Sequence, residues 1–336
     1  MPKARSARIS LVLSVSLFVA AGLVIAAGAV LVVRHHPREA ARAGAAQARH
    51  LPAAPAAGPA TRTAAGLATP AAGGSATSRA GSPARHPAGA SPRPDPFSAA
   101  ITSYLAGRAG VVAAAVYDVG TRQLWAIGPG TPQAEASVVK VDILETLLTQ
   151  RGSGGLSGTD QALAQNMIED SDNDSATDLW DAVGGPSGIR SFNAKAGLAD
   201  TTPSPCVECA GFAWPGWGLT TTTPADQIAL LRQIAVPGGL LSTPERGYAA
   251  QLMENITPSQ RWGVCAGVPA QVTVALKNGW LPLNEAATDW QVNSVGWVSG
   301  LGRDYLIAVL STGNPTEQYG IDTVGWLSGA VWKQLG

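Results

Sequence analysis

From residue 37 to residue 96 the chain contains no aromatic side chain and consists mainly of Ala, Pro, Gly, Ser, Thr and Arg. Such a stretch cannot bury enough apolar surface to offset the entropy lost on ordering its backbone, so residues 37–96 are expected to form a disordered tether. Treated as a flexible coil, it reaches about 45 Å root-mean-square. A packed fold is therefore confined to residues 97–336, and all ten tryptophans lie there, at or beyond Trp125. These 240 residues suit one domain with a substantial core.

Charge follows the same division. Residues 1–96 hold 11 Lys and Arg against Glu39 and Asp95, and residues 97–336 hold 12 against 21 acids, a net of −9. An acidic domain argues against nucleic acid as a partner, because phosphate binding needs clustered Lys and Arg.

Lys3, Arg5 and Arg8 precede an uncharged, largely apolar run over residues 9–33. About 20 such residues suffice to span a bilayer as a helix. Residues 1–36 thus read as a basic cytoplasmic end followed by a transmembrane signal anchor. A signal peptide cleaved in a small-residue stretch such as Ala20-Ala21-Gly22 is the alternative. With the anchor retained, the domain is single-pass and extracytoplasmic; with cleavage it is secreted. No cysteine lies near this segment, which excludes lipid modification there.

Within 97–336, β-branched content and a turn at Gly120-Thr121-Arg122 predict a hairpin over 111–119 and 123–127. A helix over 137–148 follows, with Val138, Val141, Leu144 and Leu148 on one face. Short helices are expected at 160–169, 175–182, 187–196, 224–235 and 244–256, the last two opening with Thr-Pro, a cap followed by proline at the first helical position. The period then switches to strands at 272–278, 290–298 and 305–312. A final helix from about residue 323 aligns Val324, Leu327, Val331 and Leu335. Strands at both ends around a helical centre predict an α+β domain whose sheet is assembled from both ends.

All four histidines (His35, His36, His50, His86) precede residue 97, so a Ser-His-Asp relay or a histidine-ligated metal is unavailable to the domain. A serine enzyme built here must use lysine or glutamate as its base. Ser137-Val138-Val139-Lys140 places a hydroxyl and an amine three residues apart on one helix face, where the positive helix end lowers a lysine pKa. Alone it is an ordinary helix start. Yet only four lysines occur in 97–336 (Lys140, Lys195, Lys277, Lys333), and two of them fall in motifs. Ser171-Asp172-Asn173 sits in a polar break between helices, where capping residues are also expected. Lys277-Asn278-Gly279 ends a strand, with a cation for a carboxylate and a glycine for close backbone approach.

In this order the three motifs resemble those of class A β-lactamases and penicillin-binding D,D-peptidases, whose set is Ser-x-x-Lys, Ser-Asp-Asn and Lys-Thr-Gly. The resemblance covers residues 97–336 and implies an antiparallel five-stranded sheet flanked by helices, with a helical subdomain. It further implies Ser137 as acylated nucleophile, Lys140 as its base and Ser171 as proton relay to the leaving nitrogen. Asn173 would bind the substrate amide, Lys277 the Ser171 hydroxyl and the substrate carboxylate, with Asn278 and Gly279 beside it. The oxyanion would lie between the backbone N–H groups of Ser137 and Trp280. The implied substrate is a β-lactam or a peptidoglycan stem peptide, opened or cut through an acyl-enzyme by a monomer with no cofactor and no metal. A D,D-carboxypeptidase, or a degenerate module that only binds cell wall, are the alternatives.

Three departures from the family stand out. Asn278 replaces the usual Thr or Ser, and only 34 residues separate Ser137 from Ser171. Glu208 lies 37 residues after Ser171, near where class A enzymes carry their water-activating glutamate, but Cys206-Val207-Glu208-Cys209 lacks the Glu-Pro pattern. Cys265 is expected to pair with Cys206 or Cys209, leaving one thiol free.

Overall fold

The computed structural model of the protein describes residues 92–336. The anchor and most of the tether expected from the sequence lie outside the described residues. Among the described residues no helix is long and apolar enough to cross a membrane.

One antiparallel sheet forms the centre, in the order β2-β1-β7-β6-β5, from β1 (Val111–Asp118), β2 (Leu124–Ile127), β5 (Thr273–Pro282), β6 (Trp290–Gly300) and β7 (Arg303–Asn314). Its strands come from the two ends of the domain, as the α+β pattern predicts. Side chains alternate between two cores: Ala115 and Tyr117 of β1 face one, Ala114 and Val116 the other. Both faces are thus apolar and covered, and a two-residue period carries hydrophobic side chains in both phases.

The second core is closed by α1 (Ala99–Ala106) and α8 (Glu317–Gln334), the first by α2 (Val139–Arg151) and the helices after it. These are α3 (Gly158–Gln165), α4 (Asn173–Ala182), α5 (Gly185–Ala196), α6 (Pro224–Ala235) and α7 (Thr243–Glu254). Thr223 caps α6, its Oγ1 accepting from Asp226 N at 3.2 Å ahead of Pro224, as the Thr-Pro start predicts. A two-stranded ribbon of β3 (Gln133–Ala134) and β4 (Thr221–Thr222) completes the domain.

Three expectations are corrected. Residues 139–148 of α2 are buried on every side and not on one apolar face, because the helix is enclosed by its neighbours. α8 starts at Glu317, six residues early, capped by Thr316 Oγ1 accepting from Tyr319 N at 3.1 Å. The disulfide joins Cys206 to Cys209, whose Cα atoms are 5.5 Å apart in a tight loop. Cys265 is free, because it packs against the second core while Val207, inside the disulfide loop, packs against the first.

Candidate active site

Ser137 sits in a 3-10 turn (Ala136–Val138) that leads into α2. The turn is clamped from β6: Asn293 Nδ2 donates to the carbonyls of Ala134 and Glu135, both at 2.9 Å, and Gln291 Nε2 donates to Asn293 Oδ1 at 2.6 Å. On the other side β5, the edge strand, presses against it. A Cβ at Gly279 would lie 2.6 Å from Ser137 N and 2.8 Å from Val138 N, so only glycine permits this approach. The sequence places a glycine there; the clamp was not foreseen, although a polar Asn293 in the middle of an apolar strand was its available signal.

Ser171 follows a π-turn (Asn166–Asp170) and takes a left-handed conformation, φ 57°, uncommon for a residue with a side chain. The reversal ends one helix and starts the next, with Asp172 Oδ2 accepting from Ser175 N at 2.7 Å to cap α4. It also carries the Ser171 hydroxyl between the two motif lysines. Lys140 Nζ donates to Ser171 Oγ at 3.0 Å, to Ser171 O at 2.6 Å and to Asn173 Oδ1 at 2.8 Å. Lys277 Nζ reaches the same Oγ at 2.8 Å and the Asn278 carbonyl at 3.1 Å. The three motifs therefore meet at one oxygen, and the Lys140 amine is directed at the Ser171 turn rather than at the Ser137 hydroxyl expected as its partner.

Both amines are buried, and each is electrostatically unfavourable as a cation. Burial, with the Lys277 charge nearby, holds Lys140 well below the ordinary lysine value, against the opposing pull of Asp172. Burial alone brings Lys277 down to about 7. Burial pushes the Asp172 carboxyl up, but hydrogen bonds from Ser175 and the Lys140 charge outweigh it and leave the carboxyl low. A neutral amine can accept a serine proton, and the lowered pKa of Lys140 favours that form.

Ser137, Ser171 and Asn173 line one cavity of about 140 Å³. Trp214, Trp217 and Trp280 supply its aromatic walls, with Leu281 and Gln260 at its borders. Trp217 is fixed by donating Nε1 to Thr177 Oγ1 at 3.0 Å, and its ring centre lies 5.0 Å from Lys140 Nζ. Gln260 was missed in the sequence because nothing local marks it; its Nε2 donates to Asp170 O at 2.9 Å.

Two residues expected at the site lie elsewhere. Asn278 is buried with its amide turned from the cavity, donating to the carbonyls of Gln260 at 2.6 Å and Trp262 at 3.2 Å. Glu208 is exposed and does not line the cavity, because Val207 packs inward and accepts from Gly216 N, which sends its neighbour outward. Lys277 stands behind Ser171 and not in the lining.

The family model described as the beta-lactamase enzyme family matches residues 159–335. Beta-lactamase AST-1 of Nocardia asteroides is 35% identical over 155 residues, 46% of this chain and 47% of that protein. LppW of Mycobacterium bovis, which carries a lipoprotein name, is 28% identical over 62% of this chain and 66% of its own length. The chain thus aligns with about half to two thirds of these relatives. The crystal structure of TLA-1 extended spectrum beta-lactamase superposes with a TM-score of 0.61 at 17% identity, over 70% of this chain and 96% of that one, a likeness of fold.

Proposed function

Because the chain belongs to the beta-lactamase enzyme family, we propose that it is a serine acyl-hydrolase that opens a β-lactam ring through an acyl-enzyme on Ser137. The observation that carries this reading is the Ser171 hydroxyl held by both lysines at the rim of the cavity that Ser137 lines. Ser137 Oγ attacks the carbonyl carbon as its proton passes to the neutral form of Lys140, whose amine turns from the Ser171 carbonyl toward Ser137 for that step. The C–N bond breaks, and Ser171, fed by Lys140 and Lys277, returns a proton to the leaving nitrogen. Asn173 supports the substrate amide, and the N–H groups of Ser137 and Trp280 receive the oxyanion.

No carboxylate is found among the residues lining the cavity, which supports slow release of the acyl group and favours, as second reading, a penicillin-binding D,D-carboxypeptidase acting on stem peptides. Tethering by the apolar run over 9–33 supports an extracytoplasmic location, with the first cysteine as late as Cys206. Mass spectrometry after exposure to benzylpenicillin is expected to show the intact drug mass added to the Ser137 peptide, and no addition in Ser137→Ala. Steady turnover of a chromogenic cephalosporin marks the hydrolase, a persistent adduct the peptidase; an unmodified Ser137 with no turnover would refute both.

A further inference from the structure

The cavity around Ser137 offers no free positive charge to a substrate. None of its lining residues is Lys or Arg; the polar groups there are the two serines, Asn173 and Gln260. Lys140 is 0% exposed and Lys277 1%, and their amines are engaged with Ser171, Asn173 and the Asn278 carbonyl. Burial lowers the pKa of both and so weakens them further as cations. Asn278, the neighbour that would add a donor, spends its amide on two backbone carbonyls. Arg261 points its guanidinium at the Glu254 carbonyl, 2.9 Å away.

A second, independent observation has the same sign. Asp170, Asp172 and Asp174 surround the Ser171 reversal, and residues 97–336 carry a net −9, a field that disfavours the approach of anions. What the cavity does offer is three indole walls. Resting on the acyl-enzyme reading above, we propose that the acyl donor this site takes best bears no carboxylate on its leaving-group side: an uncharged ester or lactam with an apolar acyl arm.

For an ester, Ser137 Oγ bonds to the carbonyl carbon while the carbon–alkoxide bond breaks. The Ser137 proton passes through the lysine–Ser171 group to the departing alkoxide. Water then cleaves the acyl-serine bond, giving the free acid and restoring the serine proton.

The test compares two esters on the full chain: 3-carboxyphenyl phenylacetate and its uncharged counterpart 3-(methoxycarbonyl)phenyl phenylacetate, each normalised to its rate with hydroxide. The phenylacetyl arm suits the tryptophan walls. The expected result is a kcat/KM about tenfold or more in favour of the uncharged ester, the ratio one charge-assisted hydrogen bond would reverse, with both activities lost in Ser137→Ala. Gln260→Lys, which places a cation in the lining, is expected to shrink that ratio. Equal or faster reaction of the carboxylate ester, with Ser137 acylated, overturns this inference alone. If neither ester nor benzylpenicillin acylates Ser137, the parent reading falls and this one with it.

Discussion

In the proposed mechanism, Lys140 decides whether Ser137 can react. As the ammonium it donates three hydrogen bonds, at 2.6, 2.8 and 3.0 Å, which hold it in place, and burial favours loss of one of those protons. Lys140→Ala is expected to slow acylation by about 10²-fold or more while leaving the circular dichroism spectrum unchanged. In the wild type the acylation rate should climb with pH as Lys140 loses its proton and level off well below 10.5, the ordinary lysine value. A stopped-flow pH profile with a fluorescent penicillin checks both. The motif residues were legible because each carries its chemistry in its type and spacing. Their partners were not: that Lys140 would meet Ser171, or that Asn278 would turn to Gln260 and Trp262, depends on how segments far apart in sequence pack together. Glu208 shows the cost of reading by spacing alone, since the disulfide loop faces it outward.

Among the elements, α2 is the most unusual, a helix that takes Asp142 and Glu145 into the interior together with its apolar residues. Burial raises the Asp142 carboxyl to about 7 from an ordinary 3.8, and raises Glu145 and the nearby Glu135 as well. A raised acid favours the folded state fully below 3.8, and that contribution is lost as pH rises towards about 7. Urea unfolding of the wild type is expected to show stability falling over this window, and Asp142→Asn to flatten the fall, Glu135 and Glu145 supplying what remains. Strongly periodic elements were legible: the hairpin, α6 and the three late strands were found to within a few residues. α1 was not, since Ile101 is its one buried residue and leaves no stripe to detect. The β3–β4 ribbon is two residues wide per strand, too short for any period.

Across the whole domain, the start and the end of the fold are fastened together by Arg93. Its guanidinium donates to Leu335 O at 2.7 Å and Gly302 O at 2.8 Å, and Nε pairs with Asp118 Oδ2 at 3.0 Å. Asp118 is 3% exposed, so Arg93→Ala strands a buried carboxylate that retains only the Thr121 donors. Thermal unfolding should report a loss of about 1–3 kcal/mol, with acylation of Ser137 unaffected at low temperature. Overall architecture was legible at this scale because the strands at both ends had to share one sheet. The same sheet has a bearing on shortened forms of the protein. Ser171 gains its second amine from a strand 106 residues further along the chain. A product truncated before residue 277 therefore carries a Ser171 hydroxyl held by one amine instead of two.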